Sequence, residues 1–508
     1  MFEAAADGLM GLLDPFTLGL MVIGILIGLV VGLLPGLGGI TAMVLMLPFT
    51  FDMTPIQAFS FLLGMFVVSS NAGELTSILF GVPGEGTTAA TILDGHPMAK
   101  KGQAGRAMGA SLASSAVGAV LGAITLAIAL PIVRPLVLSF GAPELFALTI
   151  LGVTFIASLS GGSLTRSILM GGMGFALATV GSSPQTGIYR FTFGAPYLLE
   201  GVQLVPVALG LFAIPEIIDL AVRRTSIAQA DLGKVGGVMQ GVKDAFTHRW
   251  LVVRSASLSA FIGLIPGLGS AAAQWMSYAH AVQSSPRKEE FGTGRVEGVL
   301  APGASANAKE GGALIPTVAF GVPGSLAMAI LLGAFQIVGL VPGPRMLTTH
   351  LDVTFSMVWI LVIANFISIG FLALLLPQLV RLTKVKGLIL VPIILAMVWL
   401  GAFSNQSNFG DLVLLAVAGA MGYAMVALDW PRPPLILGLV LGSLADKNLG
   451  IAYQRYHYDF FTDPTVVVIL LIAAASLVYA LVQNKRIARA KAGLAEMDKR
   501  TGGRGGHA

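Results

Sequence analysis

Long apolar blocks alternate with short polar or Gly/Pro-rich breaks along nearly the whole chain. Blocks near 16–34, 41–51, 56–72, 107–130, 143–160, 164–181 and 197–222 fill the first half. Others near 250–265, 267–282, 311–338, 353–380, 387–403, 411–429, 434–446 and 464–483 fill the second. A helix crosses the hydrocarbon core of a bilayer in about 20 residues. Some blocks reach that length and others are too short to cross alone. The pattern predicts an all-α polytopic membrane protein with roughly 11 to 14 membrane segments, several broken or re-entrant. The longest polar interruption, 223–249, carries Arg223, Arg224, Lys234, Lys243 and Arg249. It divides a first transmembrane repeat (1–222) from a second (250–484), which a basic tail (485–508) follows.

Composition strengthens this reading. Of 508 residues, 55% are hydrophobic and 11% charged, against about 25% charged in a soluble domain. The 64 glycines mostly suit close helix packing through small residues; the rest cluster with proline in repeated motifs. The net charge of +5 is gathered in a few connections and the tail, a signal of topology rather than of nucleic-acid binding. No cysteine is present, which removes disulfides and thiolate chemistry. The weakly acidic N-terminus lacks the basic start of a cleavable signal peptide, so the first helix is expected to insert directly.

Three motifs occur twice in the same order. Gly32 to Gly39 reads G-L-L-P-G-L-G-G, and Gly263 to Ser270 reads G-L-I-P-G-L-G-S. N-A-x-E follows at Asn71–Glu74 and Asn307–Glu310, then F-G-V-P-G at Phe80–Gly84 and Phe320–Gly324. Paired Gly/Pro interruptions in corresponding places of two apolar halves point to the binding site of a transporter. Pro35, Pro83, Pro266 and Pro323 are the expected helix breaks. Gly36, Gly38, Gly39, Gly267, Gly269 and Ser270 would supply close-approaching backbone, which is tolerable at membrane depth only inside protein or beside a watery cavity. A single copy would read as an ordinary helix-ending turn; the duplication argues for function.

Charge placement predicts opposed halves. No Lys or Arg precedes Lys100, which puts the N-terminus outside, while 223–249 and the tail lie inside. Lys100, Lys101 and Arg106 follow the first F-G-V-P-G, whereas only Arg345 follows the second before residue 352. The two halves are therefore expected to be inverted-topology repeats around a midplane site.

Glu74 and Glu310 stand in or beside apolar segments, where charge is costly and usually functional. Each is a candidate cation ligand, proton carrier or internal ion-pair partner. Leu75–Phe80 and Thr87–Leu93 read as two short arms of a hairpin with its tip at 82–84. The second arm would present a half-helix N-terminus near Thr87 and Thr88 to an anion, with Gly324 and Ser325 in the corresponding place. Glu85 fits such an anion site poorly. No P-loop, H-E-x-x-H or G-x-S-x-G motif is present, which disfavours ATP-driven pumping and the corresponding hydrolases. A passive channel and, more weakly, a polytopic membrane enzyme are the rival classes.

The run from Asn71 to Ala107, N-A-G-E-L-T-S-I-L-F-G-V-P-G-E-G-T-T-A-A-T-I-L-D-G-H-P-M-A-K-K-G-Q-A-G-R-A, flanked by the two P-G-L-G motifs, resembles the TctA family, the large membrane subunits of tripartite tricarboxylate transporters. The likeness extends from about Phe16 to Lys485. It implies a bacterial inner-membrane secondary transporter for citrate or a related di- or monocarboxylate, driven by sodium or protons without another cofactor. It also implies a small TctB-like membrane subunit and a periplasmic TctC-like solute-binding protein; a homo-oligomer is permitted. On this chain the substrate would meet Asn71, Gly84, Thr87, Thr88, Asn307, Gly324 and Ser325. The coupling ion would meet Gly36, Gly38, Gly39 and Glu74, with Gly267, Gly269, Ser270 and Glu310 in the second half.

Overall fold

The computed structural model describes residues 1–33, 38–85, 87–159, 164–223, 236–265, 269–382 and 387–478. The first half comprises α1 (Phe2–Leu13), α2 (Pro15–Leu33), α3 (Gly38–Met46), α4 (Pro55–Phe80), α5 (Ala89–Lys100), α6 (Ala104–Ser139), α7 (Ala142–Leu159), α8 (Leu164–Ala178), α9 (Leu204–Ala208) and α10 (Ile214–Arg223). Next come α11 (Val238–Thr247), α12 (Arg249–Gly263), α13 (Gly269–Ser284), α14 (Glu297–Phe320), α15 (Leu326–Ile337), α16 (Leu351–Leu382), α17 (Gly387–Gln406), α18 (Phe409–Ala427), α19 (Pro433–Tyr456) and α20 (Pro464–Val478). Two-residue strands, β1 (Gly181–Ser182) and β2 (Tyr189–Arg190), pair in the connection after α8. Among the described residues seven helices are long and apolar enough to cross a membrane, accompanied by shorter apolar helices. The protein is an all-α, multi-pass membrane protein. Its lipid-facing chemistry is plain on α6, where Ile124, Ile128, Ile132 and Leu136 form an exposed stripe at helical spacing.

Small residues set the packing. Gly24, Gly28 and Gly32 lie along one face of α2, against the backbone carbonyls of Phe61, Met65 and Ser69 on α4. The constant offset makes the pair parallel, so α3 returns toward the end from which both start. Around α12 and α14 the pattern recurs: His248 lies 3.6 Å from Glu297, Leu251 is buried with Ala301, and Gly263 sits on the Lys309 carbonyl. This pair is parallel too.

The two pairs run in opposite directions. α5 leads away from α4 to Lys101, whose Nζ donates to the Thr293 carbonyl at 2.6 Å, just ahead of α14. α15 leads away from α14 to Gln336 and Ile337, which share a cavity of about 480 Å³ with Phe51, just ahead of α4. One end of the bundle also holds the Arg106–Asp244 ion pair at 2.6 Å and the bonded Arg295 and Glu297. The other holds Arg190–Asp446 at 2.5 Å and the Tyr197 hydroxyl donating to Asp411 at 2.7 Å.

Two elements differ from the sequence expectation. The block 56–72 and the arm 75–80 are a single helix, α4, begun by Pro55 and by the Gln57 side chain accepting the Thr54 N–H at 3.0 Å. Its polar residues face other helices and do not end it. Within the polar stretch 223–249, α11 docks on α6, with Gly241 against the Arg106 carbonyl and Gly109 against that of Val238. The remainder at 224–235 and the tail 485–508 lie outside the described residues.

Candidate functional site

Both F-G-V-P-G breaks have the same construction. α4 and α14 each stop at a left-handed glycine, Gly81 (φ 67°) and Gly321 (φ 68°), whose N–H groups bond Ser77 and Thr317 carbonyls at 3.1 Å. The chain then doubles back along the helix it has left. Gly84 arrives against Gly73 and the Gly32 carbonyl, and Gly324 arrives against Ala313. A Cβ at Gly84 would lie 2.4 Å from the Gly73 Cα, so a side chain there would push the loop off the helix. α5 and α15 start from this depth, beside the middle of α4 and α14. Pro83 and Pro323 stand in the returning loops.

In the first half all three motifs converge. Glu85 Oε1 accepts the Gly39 N–H, at the start of α3, and the Ser69 hydroxyl, both at 2.7 Å. Thr87 donates to the other oxygen at 3.3 Å. A carboxylate thus rests at the N-terminus of a half-helix, where unsatisfied N–H groups and the dipole favour negative charge. Gly38 (φ 60°) lies against the Glu85 side chain. Thr88 is buried and works within the loop: its hydroxyl accepts from Ser77 at 2.9 Å and donates to the Glu85 carbonyl at 3.1 Å. In the second half the Ser325 hydroxyl caps α15 by accepting the Met328 N–H at 3.3 Å. Gly269 opens α13; Pro35, Gly36, Pro266, Gly267 and the Ser270 side chain lie outside the described residues.

The two N-A-x-E motifs meet where α4 and α14 cross. Asn307 Nδ2 donates to Asn71 Oδ1 at 3.0 Å and to the Ser115 hydroxyl at 2.7 Å. Ser115 donates to Asn71 Oδ1 at 2.7 Å, and Asn71 Nδ2 donates to the Ser368 hydroxyl at 2.9 Å. Asn365 Nδ2 reaches Ser115 at 3.5 Å. All five residues are fully buried or within 1% of it. Further along the same helices, Glu74 accepts from Gln274 at 2.8 Å and from Ser111 at 3.5 Å. Lys309 Nζ lies 3.2 Å from Glu310 Oε1 and donates to the Ala306 carbonyl at 2.6 Å.

The motifs are not in structural register. Ser69 and Lys309 stand equally far ahead of their terminal phenylalanines, and each receives the corresponding glycine, Gly32 or Gly263. N-A-x-E lies four residues further from the break in the second half, about one helical turn. Asn71 and Asn307 therefore occupy different turns. Sequence reasoning missed Ser111, Ser115, Gln274, Asn365 and Ser368. The available signal was an isolated amide or hydroxyl inside an apolar helix.

A second cross-half contact lies at the basic end. Buried Asp94 on α5 accepts the Tyr278 hydroxyl at 2.9 Å and the backbone N–H groups of Gly292, Gly294 and Arg295 at 2.8–2.9 Å. One carboxylate thus ties the first half to the connection between α13 and α14.

Broken helices and a polar centre within an apolar bundle make this a multi-pass membrane protein. The family model of the tripartite tricarboxylate transporter TctA family matches residues 18–437, and the chain belongs to that family, the membrane component of a tripartite system. It is 32% identical over 482 residues to an uncharacterised 52.8 kDa protein of the TAR-I ttuC' 3' region of Agrobacterium vitis, covering 94% of this chain and 96% of that protein. It is 28% identical over 233 residues to an uncharacterised protein of the TAR-II ttuC' 3' region of the same organism, covering 45% and 96%. No solved structure matches the chain.

Proposed function

We propose that this chain is the carrier subunit of a binding-protein-dependent secondary transporter that imports an organic carboxylate across the bacterial inner membrane. Citrate or a related di- or monocarboxylate is the substrate, a sodium or proton gradient the driving force, and inverted repeats working by alternating access the mechanism. A TctB-like small subunit and a periplasmic TctC-like binding protein complete the system. The opposed directions of α2/α4 and α12/α14 support the inverted halves. Lys101, Arg106 and Lys243 at one end of the bundle support a cytoplasmic placement of that end and an outside N-terminus.

The observation that carries the reading is the Glu85 carboxylate held at the start of α3 by the Gly39 N–H and the Ser69 hydroxyl. The region where the first-half breaks converge has the chemistry to hold a carboxylate. We assign Glu85 as a tethered stand-in that a substrate carboxylate displaces, with Thr87 alongside.

Labelled citrate uptake into proteoliposomes containing this chain and its small subunit tests the function. Accumulation is expected only with both a binding protein and an inward cation gradient. Downhill leak indifferent to gradients, for citrate and for smaller carboxylates alike, identifies a channel instead. Glu85→Gln removes the competing charge, so the KM for substrate is expected to fall several-fold. An unchanged KM with a lower kcat would assign Glu85 to loop structure alone.

A further inference from the structure

We propose that the amide cluster at the crossing of α4 and α14 binds a dehydrated monovalent cation of sodium size, with Asn307 Oδ1 and Asn365 Oδ1 as ligands. The inference deepens the transport reading by locating its coupling ion, and rests on that reading only for the role of the ion.

Donors and acceptors in the cluster are unevenly matched. Every amide N–H₂ of the cluster already points at an oxygen: Asn71 at Ser368, Asn307 at Asn71 and Ser115, Asn365 at Ser115. The Ser115 and Ser368 hydroxyls donate to Asn71 Oδ1 and to the Asn365 carbonyl, at 2.7 and 2.9 Å. Two amide oxygens remain without a donor. Asn307 Oδ1 and Asn365 Oδ1 are buried without a hydrogen-bond partner among the described residues, and so are the hydroxyls of Ser70 and Ser305 on neighbouring positions of α4 and α14. With Ser115 donating to Asn71 Oδ1, Asn307 presents its Nδ2 to both oxygens and its Oδ1 away from them.

A buried acceptor left unsatisfied carries its full desolvation cost. The complementary ligand of these two amide oxygens is a cation or a hydrogen-bond donor. On this proposal Asn307 and Asn365 serve the ion, and the substrate's carboxylate is held at the Glu85 cradle. The oxygens are neutral and hard, which excludes soft metals and suits a singly charged ion better than a divalent one that recruits several carboxylates. No group of three His, Cys, Asp or Glu able to hold a metal occurs among the described residues. Glu310, three positions along α14 from Asn307, is paired with Lys309 at 3.2 Å, so that pair adds little net charge beside the cluster.

The cluster also spans both halves. Asn71 and Ser115 come from α4 and α6, and Asn307, Asn365 and Ser368 from α14 and α16. Both ligand oxygens come from the second half, and their amides are oriented by Ser115 of the first, to which Asn307 Nδ2 and Asn365 Nδ2 both donate. A cation bound there favours that arrangement by its difference in affinity between docked and separated states.

The test uses the full-length chain in nanodiscs, without substrate or binding protein. Binding of radioactive sodium and the Tm are measured against NaCl, with KCl and choline chloride holding ionic strength constant. Saturable sodium binding and a sodium-specific rise in Tm are expected. Asn365→Ala should weaken sodium roughly 10- to 100-fold, at least the loss seen when an outer-shell partner of a metal site is removed. Asn365→Asp, which keeps the oxygen and adds charge, should bind sodium more tightly. No displaceable sodium in the unaltered protein overturns the proposal and leaves an ordinary buried water as the acceptors' partner. Undiminished sodium binding in Asn365→Ala overturns it as well. Sodium binding that persists where citrate uptake fails would sink the substrate assignment and leave this site standing.

Discussion

Replacing Lys309 by Met destabilises the folded protein by about 3–5 kcal/mol, and adding Glu310→Gln recovers most of the loss. Lys309 is 1% exposed and lies in the longest wholly buried stretch of α14, from Gly298 to Ala319. Its Nζ has two fixed partners, the Ala306 carbonyl at 2.6 Å and Glu310 Oε1 at 3.2 Å. Adjacent residues on a helix ordinarily point apart; the long lysine chain folds back along its own turn to make the contact. In a medium of low dielectric, removing the cation leaves the carboxylate with its desolvation cost and without that compensation. Methionine keeps much of the volume, so packing contributes little to the difference. The check is thermal or denaturant unfolding in detergent for the two single variants and the double variant. A Lys309→Met cost below about 1 kcal/mol, or a double variant no better than the single, would show that the pair is solvated or already neutral.

Duplicated features were legible in the sequence, and unique ones were not. The repeated F-G-V-P-G located both helix ends, because only glycine takes the left-handed cap without strain. The return of the chain to Gly73 and Ala313 was hidden, since it depends on which small residues face the loop in space. Four extra residues between Glu310 and Phe320 were readable, but not their consequence: the packing follows the break and leaves N-A-x-E a turn out of register. Asn365 and Gln274 have no second copy to mark them, so each looked like scattered polarity in an apolar run. The helix at 238–247 was obscured by its charged residues, which serve docking at the bundle end. Even Glu85, awkward in an anion site by sequence, became intelligible once its carboxylate was seen as the anion.

The Glu85 cradle and the amide cluster depend on one interface. Ser69 and Asn71 sit close together on α4, and α2 is pressed against that helix by Gly24, Gly28 and Gly32. An error in the spacing of α2 and α4 therefore reaches both sites.

Gly28→Val should abolish accumulation of the folded protein. A Cβ at Gly28 would stand 2.3 Å from the Met65 carbonyl oxygen and 3.0 Å from its carbon. Those atoms belong to the backbone of a buried helix and have no rotamer by which to retreat. The parallel helices would have to separate by more than an ångström along a face where Gly24 and Gly32 make equally close approaches. Overpacking of an ordinary core costs about 1–3 kcal/mol. Here the displacement also loosens the helix contacts that hold a membrane bundle together, where no hydrophobic drive restores them. Gly19 lies on the same helix with nothing within 4 Å of its would-be Cβ, so Gly19→Ala serves as the internal control. It removes a helix-weakening glycine and should leave the protein unchanged or stabilise it by up to about 1 kcal/mol. Size-exclusion profiles and Tm values of the two variants in detergent decide the matter. If Gly28→Val were monodisperse with a Tm near that of Gly19→Ala, the α2–α4 packing would be loose. The coupling argued between the carboxylate cradle and the amide cluster would then lose its mechanical basis.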